Sequence, residues 1–258
     1  MKIFLTGASS GIGAALALLY ARLHGANAVL GISGRDARRL AAVADKLAPA
    51  TVVTYALDAT DSAALGRAAE DFMARHGTPD LVIANAGVSL ATEGHRAEDI
   101  PVLESLLAIN TVALAATLQP FVEPMKNAGR GKLVGIASIT GIRGIPGSGG
   151  YSASKAAAIA WLEALRVELR GSGVKVVTIC PGAIDTPMTQ VNNYRMPFLL
   201  SAEEGAKKTA RAIDSGRSFV IIPWQVSFVF HILHLLPAWA YDALVARAPR
   251  KPRLGKST

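Results

Sequence analysis

Tyr151 and Lys155 bracket the run Tyr151-Ser152-Ala153-Ser154-Lys155. On a helix, positions i and i+4 share a face, so a phenol and an ammonium would meet there. A free phenol has a pKa of about 10, too high for a base at neutral pH. A nearby cation stabilises phenolate and lowers that pKa, each unit being worth about 1.4 kcal/mol. Such a tyrosine can exchange a proton with an alcohol or carbonyl oxygen. Taken alone, the pair also fits an exposed helix surface. Upstream, Ser138 follows the strand-like run 132–137. A hydroxyl just past a strand end can hydrogen-bond the same substrate oxygen, although by itself it is an ordinary loop serine.

A second chemistry lies near the N-terminus. The run 3–5 leads into Thr6-Gly7-Ala8-Ser9-Ser10-Gly11-Ile12-Gly13. Glycines let backbone turn tightly and approach a pyrophosphate, and the following helix N-terminus offers free N–H groups. The plain alternative is a tight structural turn. The Gly-Lys-Ser/Thr ending of a nucleotide-hydrolysing loop is missing. The next strand-like run ends in Ile32-Ser33-Gly34-Arg35. An acidic residue there would accept hydrogen bonds from an adenosine ribose. Arg35 instead suits a 2′-phosphate, with Arg38 and Arg39 within one helical turn. These arginines also fit a solvated helix start.

Positioning these groups needs a sheet. Residues 2–6, 28–33, 52–56, 81–84, 132–137, 174–179 and 219–222 read as strands, several as unbroken apolar runs. Strands buried on both faces look like that. Helix patterns fall near 12–24, 36–47, 61–76, 101–127, 152–170 and 202–215. Such alternation predicts an α/β chain: a doubly wound, seven-stranded parallel sheet with helices on both faces. The loops 141–150 and 183–200 would follow strand carboxyl ends, where ligands bind in open α/β sheets.

Composition narrows the class. The 258 residues suit one domain, and 51% are hydrophobic. Cys180 is the only cysteine, so no intrachain disulfide can form, and its apolar run predicts a buried thiol. No His/Cys cluster has metal-ligand spacing, so no metal is expected. Of the net charge of +8, Arg247, Arg250, Lys251, Arg253 and Lys256 supply five positives. That points to a basic tail on an ordinary enzyme and away from nucleic acid. No signal peptide is recognisable, which predicts a cytoplasmic protein.

Together these motifs resemble the short-chain dehydrogenase/reductase family, in its branch of about 250 residues, from residue 1 to about 222. The resemblance implies a single-domain Rossmann fold over residues 1–222, with 223–258 as an apolar helical extension and basic tail. It also implies residue roles. Gly7, Ser9, Ser10, Gly11, Ile12 and Gly13 belong to the cofactor loop, with Arg35, Asp58 and Ala59 at the adenosine end. Asn85-Ala86-Gly87 resembles the motif that steadies the sheet and borders the adenosine. Pro181, Gly182, Ile184 and Thr186 match the segment along the nicotinamide. Ser138, Tyr151 and Lys155 match catalytic positions, and Asn110 falls where the family places an asparagine holding a relay water. In the implied reaction hydride passes between the nicotinamide of NADP(H) and a carbonyl carbon. Tyr151 moves the proton, Ser138 orients the oxygen, and Lys155 lowers the Tyr151 pKa and binds the ribose. Many members that use NADP carry a basic residue where this chain has Ser10, so NADP over NAD rests mainly on Arg35. Relatives usually form dimers or tetramers through helices corresponding to 101–127 and 152–170.

The segment 223–237 is very apolar, but its prolines keep it shorter than the roughly 20 residues of a spanning helix. Three readings stand: a cap on the substrate pocket, a subunit contact, or a peripheral membrane contact helped by the basic tail. The bland version is a pocket helix plus a solubilising tail. His231 and His234 read as helix-surface or pocket residues. The extension resembles tails of family members acting on lipid-like carbonyls, such as ketosphinganine or steroid reductases. The expected function is therefore an NADP(H)-dependent oxidoreductase of a hydrophobic carbonyl or secondary alcohol. The alternatives are a non-catalytic NADP-sensing protein and an NAD-dependent dehydrogenase of small polar substrates. A sugar-nucleotide epimerase or dehydratase is disfavoured by the glycine spacing and the short C-terminal region.

Overall fold

The computed structural model describes residues 1–253, apart from the side chains of His231 and His234. The expectations for those two histidines and for Lys256 fall outside the described residues.

Seven strands form one parallel sheet: β1 (Lys2–Leu5), β2 (Val29–Gly34), β3 (Thr51–Ala56), β4 (Leu81–Ala84), β5 (Gly131–Ile136), β6 (Val174–Pro181) and β7 (Phe219–Ile222). Their order is β3-β2-β1-β4-β5-β6-β7. Ile3 pairs with Leu30 on one side and Leu81 on the other. The chain works outward in one direction from β1, then returns to its other side at β4. That reversal opens a crevice at the carboxyl ends of β1 and β4.

The strand period of two divides the core. Ile3, Leu5, Leu81, Ile83, Val134 and Ile136 face one layer, with Leu16, Tyr20, Leu40 and Ile213. Phe4, Val82, Leu133 and Val176 face the other, with Phe72, Leu118, Phe121 and Leu162. The first layer's helices are α1 (Gly11–His24), α2 (Ala37–Ala44) and, later in the chain, Ala202–Asp214; the second has α3 (Ser62–His76) and two longer helices described next. Both faces are covered, which explains the unbroken apolar strands.

The expected helix at 101–127 is three pieces: α4 (Ile100–Leu107), a π turn (Ala108–Val112) and α5 (Ala113–Asn127). The whole run Ala97–Asn127 is long and apolar enough to cross a membrane by length and composition. Here it lies along the sheet, with Leu114, Leu118, Phe121 and Met125 in the core. Next come α6 (Gly149–Glu168), α7 (Pro187–Gln190) and α8 (Ala202–Asp214). Residues 36–47 stop being α-helical at Ala44, where Asp45 to Leu47 turn and Leu47 is buried. α6 starts three residues earlier than its glycines suggested. The Gly150 N–H donates to Thr92 Oγ1 at 2.7 Å, a contact from a distant loop. β6 outlasts its expected end because β7 pairs with it as far as Pro181.

The last helices among the described residues are α9 (Trp224–Leu235) and α10 (Ala238–Val245). β5 and α6 carry the chemistry-bearing residues, and they meet without spacing. A Cβ on Gly135 would stand 2.3 Å from Leu162 Cδ1. Gly135→Ala is therefore expected to lower stability by about 1–3 kcal/mol through overpacking, read as a fall in the midpoint of denaturant unfolding. An unchanged midpoint would mean that α6 rides less tightly on β5 than described.

Candidate active site

The crevice is built around a three-way approach of backbone. Asn85, just after β4, donates from Nδ2 to Thr6 O at 3.1 Å and to Gly7 O at 3.0 Å. Thr6 Oγ1 accepts from the backbone N–H of Asn85 at 3.2 Å and of Ala86 at 3.3 Å. A Cβ on Gly13 would lie 2.2 Å from Gly7 O and 2.5 Å from Asn85 Nδ2. Gly7 and Gly11 hold φ of 68° and 57°, where side chains are strained. Ser10 leaves the α1 N-terminus without a side-chain cap. Free N–H groups and the positive end of the helix dipole thus face the crevice. This cradle fits a pyrophosphate, the anionic middle of a dinucleotide.

At one end of the crevice, a Cβ on Gly34 would stand 3.1 Å from Ser9 Cβ and Oγ. Arg35 beside it is exposed. Asp36, the nearest acid, accepts from Arg39 N at 3.0 Å to cap α2 and pairs with Arg39 Nε at 3.3 Å. Asp58 accepts from Thr60 N at 2.9 Å and Thr60 Oγ1 at 2.8 Å. Those bonds, with Arg35 adding attraction, hold its carboxyl below the usual range.

At the other end, Ser138 follows β5 and accepts from Thr140 N at 3.3 Å and Thr140 Oγ1 at 3.0 Å. Tyr151 lies in the first turn of α6, and Lys155 one turn on. The Lys155 ammonium donates to Ile136 O at 2.8 Å and is only 4% exposed. Burial pulls its pKa down to about 8. Burial also pushes the Tyr151 phenol above its ordinary value, while a hydrogen bond with Ser138 draws it back. The direction is opposite to the lowering expected from Lys155. The ammonium is turned onto a carbonyl, and desolvation governs both groups. Cys180 is fully buried beneath them, its thiol pushed up to about 12.

Asn110 sits in the π turn, a distortion frequent at functional sites. Its Oδ1 accepts from Val88 N at 2.9 Å, and its Nδ2 donates to Val88 O at 2.9 Å and Ser154 Oγ at 3.0 Å. The side chain is spent on holding the loop after β4 against α6. Gly87 must be bare, since its Cβ would lie 2.9 Å from Asn110 Oδ1.

One pocket joins these parts. It gathers Gly7, Ser9, Ser10, Gly11, Ile12, Arg35, Asp58, Ala59, Asn85, Ala86, Gly87, Ser138, Tyr151, Lys155, Pro181, Gly182, Ile184 and Thr186. Gly13 and Asn110 stand behind this wall. Sequence reasoning passed over Val88, Ile109, Met188 and Thr189, which also line it. Thr189 had a readable signal: its Oγ1 accepts from Thr186 N at 3.0 Å, three residues back, in a capping pattern. Val88 and Ile109 carried none, because apolar residues look alike until folded. Among the described residues, no group of three His, Cys, Asp or Glu is placed to hold a metal ion.

The C-terminal segment crosses the loops around this pocket. Val226 and Phe230 pack with Ala137, Ile139 and Ile142, beside Ser138. Arg143 donates to Leu236 O at 2.9 Å and stacks 4.0 Å over the Tyr241 ring. Tyr241 Oη donates to Gly144 O at 2.6 Å. Arg250 reaches Glu93 at 3.0 Å, Arg253 binds both oxygens of Asp99, and Lys251 Nζ lies 3.4 Å from Met188 O. The tail is thus no free solubilising chain as far as Arg253. Two of its arginines are used to fasten it down.

Buried charge makes a testable demand on stability. An unfolded lysine keeps its proton to its ordinary value of 10.5, whereas Lys155 releases it near 8. Between those pH values the unfolded chain binds more protons, so this group's contribution to stability rises with pH. Lys155→Met should be more stable than wild type at pH 7 by roughly 3 kcal/mol, since each pKa unit is worth about 1.4. The gap should shrink as pH climbs from 8 to 10.5 in paired unfolding curves. A constant gap across that interval would contradict a desolvated ammonium.

The model of the short chain dehydrogenase family matches residues 1–196. An uncharacterized oxidoreductase of Myxococcus xanthus is 37% identical over 245 residues, covering 94% of this chain and 95% of that protein. A 3-oxoacyl-(acyl-carrier-protein) reductase of Chlamydia muridarum is 34% identical over 84% of this chain and 88% of its own length. Among solved structures, a short-chain dehydrogenase of Sphingobium yanoikuyae in complex with NADPH superposes with a TM-score of 0.77 at 26% identity, covering 100% of this chain and 99% of its own. With the doubly wound sheet, the glycine cradle and the matched model all in agreement, the chain belongs to the short-chain dehydrogenase family of oxidoreductases.

Proposed function

We propose that the protein is an NADP(H)-dependent reductase of a hydrophobic ketone or aldehyde, reversible as an alcohol dehydrogenase, with Tyr151 as the acid. The observation that carries this is the convergence of Ser138, Tyr151 and Lys155 on the far end of a crevice that begins at Arg35. When bound, the nicotinamide supplies the hydride. Gly7, Ser9–Gly13 and Asn85–Gly87 hold the pyrophosphate and adenosine portions, and Ile184 and Thr186 border the nicotinamide. Asp58 and Ala59 flank the adenine. Lys155 holds the ribose.

Each remaining step belongs to the chain itself. Ser138 donates to the carbonyl oxygen and fixes its direction. Tyr151 keeps its proton at neutral pH because burial holds its pKa up, so it is ready to protonate that oxygen as negative charge develops. Asn110 keeps Val88 and Ser154 in register and so holds the floor beneath Lys155.

NADP is favoured over NAD by two features together. Gly34 leaves no acid to accept a ribose hydroxyl, and Asp36 is committed to capping α2. Arg35 remains to pair with a 2′-phosphate. A hydrophobic substrate is favoured by the apolar cluster of Ile139, Ile142, Val226 and Phe230, which packs on Ala137, the residue before Ser138 and itself part of the pocket wall. Self-association is proposed through the α4–α6 side, where Ile100 and Val112 are 54% and 57% exposed.

The deciding experiment is NADPH and NADH oxidation across carbonyls ranging from small ketones to steroids and long-chain 3-keto lipids. Turnover confined to apolar substrates with NADPH is expected. Tyr151→Phe should keep NADPH binding and lose roughly 10²–10⁴-fold in kcat. Near-normal turnover by that variant would remove Tyr151 from the chemistry. Arg35→Ala should raise KM for NADPH about 10–100-fold, the worth of a charged hydrogen-bonded contact, and leave KM for NADH unchanged. Equal effects on both cofactors would assign Arg35 no part in choosing between them.

A further inference from the structure

We propose that the outward faces of α9 and α10 dock on a phospholipid bilayer bearing anionic headgroups, which sets the substrate mouth at the membrane surface. On α9, Trp224, Phe228, Ile232 and Leu235 are spaced by four, four and three residues, which places them on one side of the helix. All four are exposed, Trp224 at 72% and Leu235 at 82%. The opposite side is already used, since Val226 and Phe230 pack on Ala137, Cys180 and Ile221. α9 is therefore apolar on both sides but buried on one. α10 extends the outer surface with Trp239, 76% exposed, and Leu244, 61% exposed.

The chemistry of this face selects its partner. Trp224 and Trp239 are two of the three tryptophans in the chain, and Trp161 packs against the core. Tryptophan favours the boundary between water and lipid because its ring is apolar and its N–H polar. Between residues 218 and 253 the only acid is Asp242, against Arg247, Arg250, Lys251 and Arg253. Glu93 and Asp99 engage Arg250 and Arg253, so apolar insertion supplies most of the attraction and the uncompensated charge adds to it. Arg247, two residues past the end of α10, adds positive charge beside this face, which a second copy of the same face would repel and anionic headgroups would attract.

Docking reaches the active site through shared structure. α9 rests on Ile139 and Ile142 beside Ser138, and Arg143 binds the Leu236 carbonyl at its end. The loop that carries Ser138 is therefore in direct contact with the helix that bears the membrane face. The surface stands whether or not the reductase reading holds. Only the further step, that the carbonyl comes from the lipid phase, rests on that reading.

The test mixes the full chain with vesicles of phosphatidylcholine alone or of equal parts phosphatidylcholine and phosphatidylglycerol. Binding is read by co-sedimentation and by tryptophan emission. Wild type should sediment with the anionic vesicles and shift its emission to shorter wavelength. The double substitution Phe228→Glu with Trp239→Glu should weaken vesicle binding about tenfold or more and leave NADPH binding intact, which shows that the variant folds. Wild type remaining in the supernatant with both vesicles would overturn the proposal. So would light scattering that shows this face joining two copies, with the double variant monomeric. Carbonyl turnover measured without vesicles reports separately on the reductase reading.

Discussion

The site depends on three pieces of backbone being closer than side chains allow. Gly7, Gly13 and the backbone of Ala86 occupy one small volume where β1 ends, α1 begins and the loop after β4 passes, tied together by the Asn85 side-chain amide. Any Cβ on Gly13 would collide with a carbonyl that has nowhere to go. The contact welds the two central strands' loops together at the point where strand order reverses. It also aims the first N–H groups of α1 into the crevice instead of at a capping side chain. The anion cradle and the sheet's switch point are thus one construction.

A second constraint runs through α6. The helix must deliver a phenol to the crevice and an ammonium beneath it, both poorly hydrated. Gly135 and Gly141 let α6 approach β5 and the turn after Ser138, where added carbons would strike Leu162 and the Lys155 carbonyl. Thr92 holds its first turn, and Asn110 and Thr111 hold Ser154 from the π turn. Desolvation then sets the electrostatics. It raises Tyr151, lowers Lys155 and keeps Cys180 protonated. The same closeness that orders the residues removes the water that would otherwise hold their pKa values near normal.

The C-terminal segment adds a layer the sheet does not need. It touches the loop after β4 at Glu93 and Asp99, the loop after β5 at Arg143 and Gly144, and the loop after β6 at Met188. These loops border the pocket at the carboxyl edge, where functional variation collects on such folds. The pairing of Arg253 with both oxygens of Asp99 is bidentate and partly buried, the geometry in which a surface ion pair holds position best.

Much of this was legible in the residues themselves. Seven strand-like runs separated by helical patterns, several of them unbroken and apolar, pointed to a parallel sheet, because a strand apolar throughout must be covered on both faces. Glycines at 7, 11 and 13 announced a close backbone approach, and Tyr151 with Lys155 announced a shared helical face, since both signals are local in the chain. Other features depended on partners far away in sequence. That Asn110 spends its amide on Val88 and Ser154, that Lys155 faces Ile136 O, and that α6 begins at Gly149 follow from contacts between distant segments. The break of 101–127 by a π turn had no local marker, as hydrophobic periodicity barely distinguishes a π turn from the helix around it. The basic tail shows the difference most plainly. Composition alone showed unpaired positive charge, but pairing depends on distance, and only the fold brings Arg250 and Arg253 to acids more than 150 residues earlier in the chain.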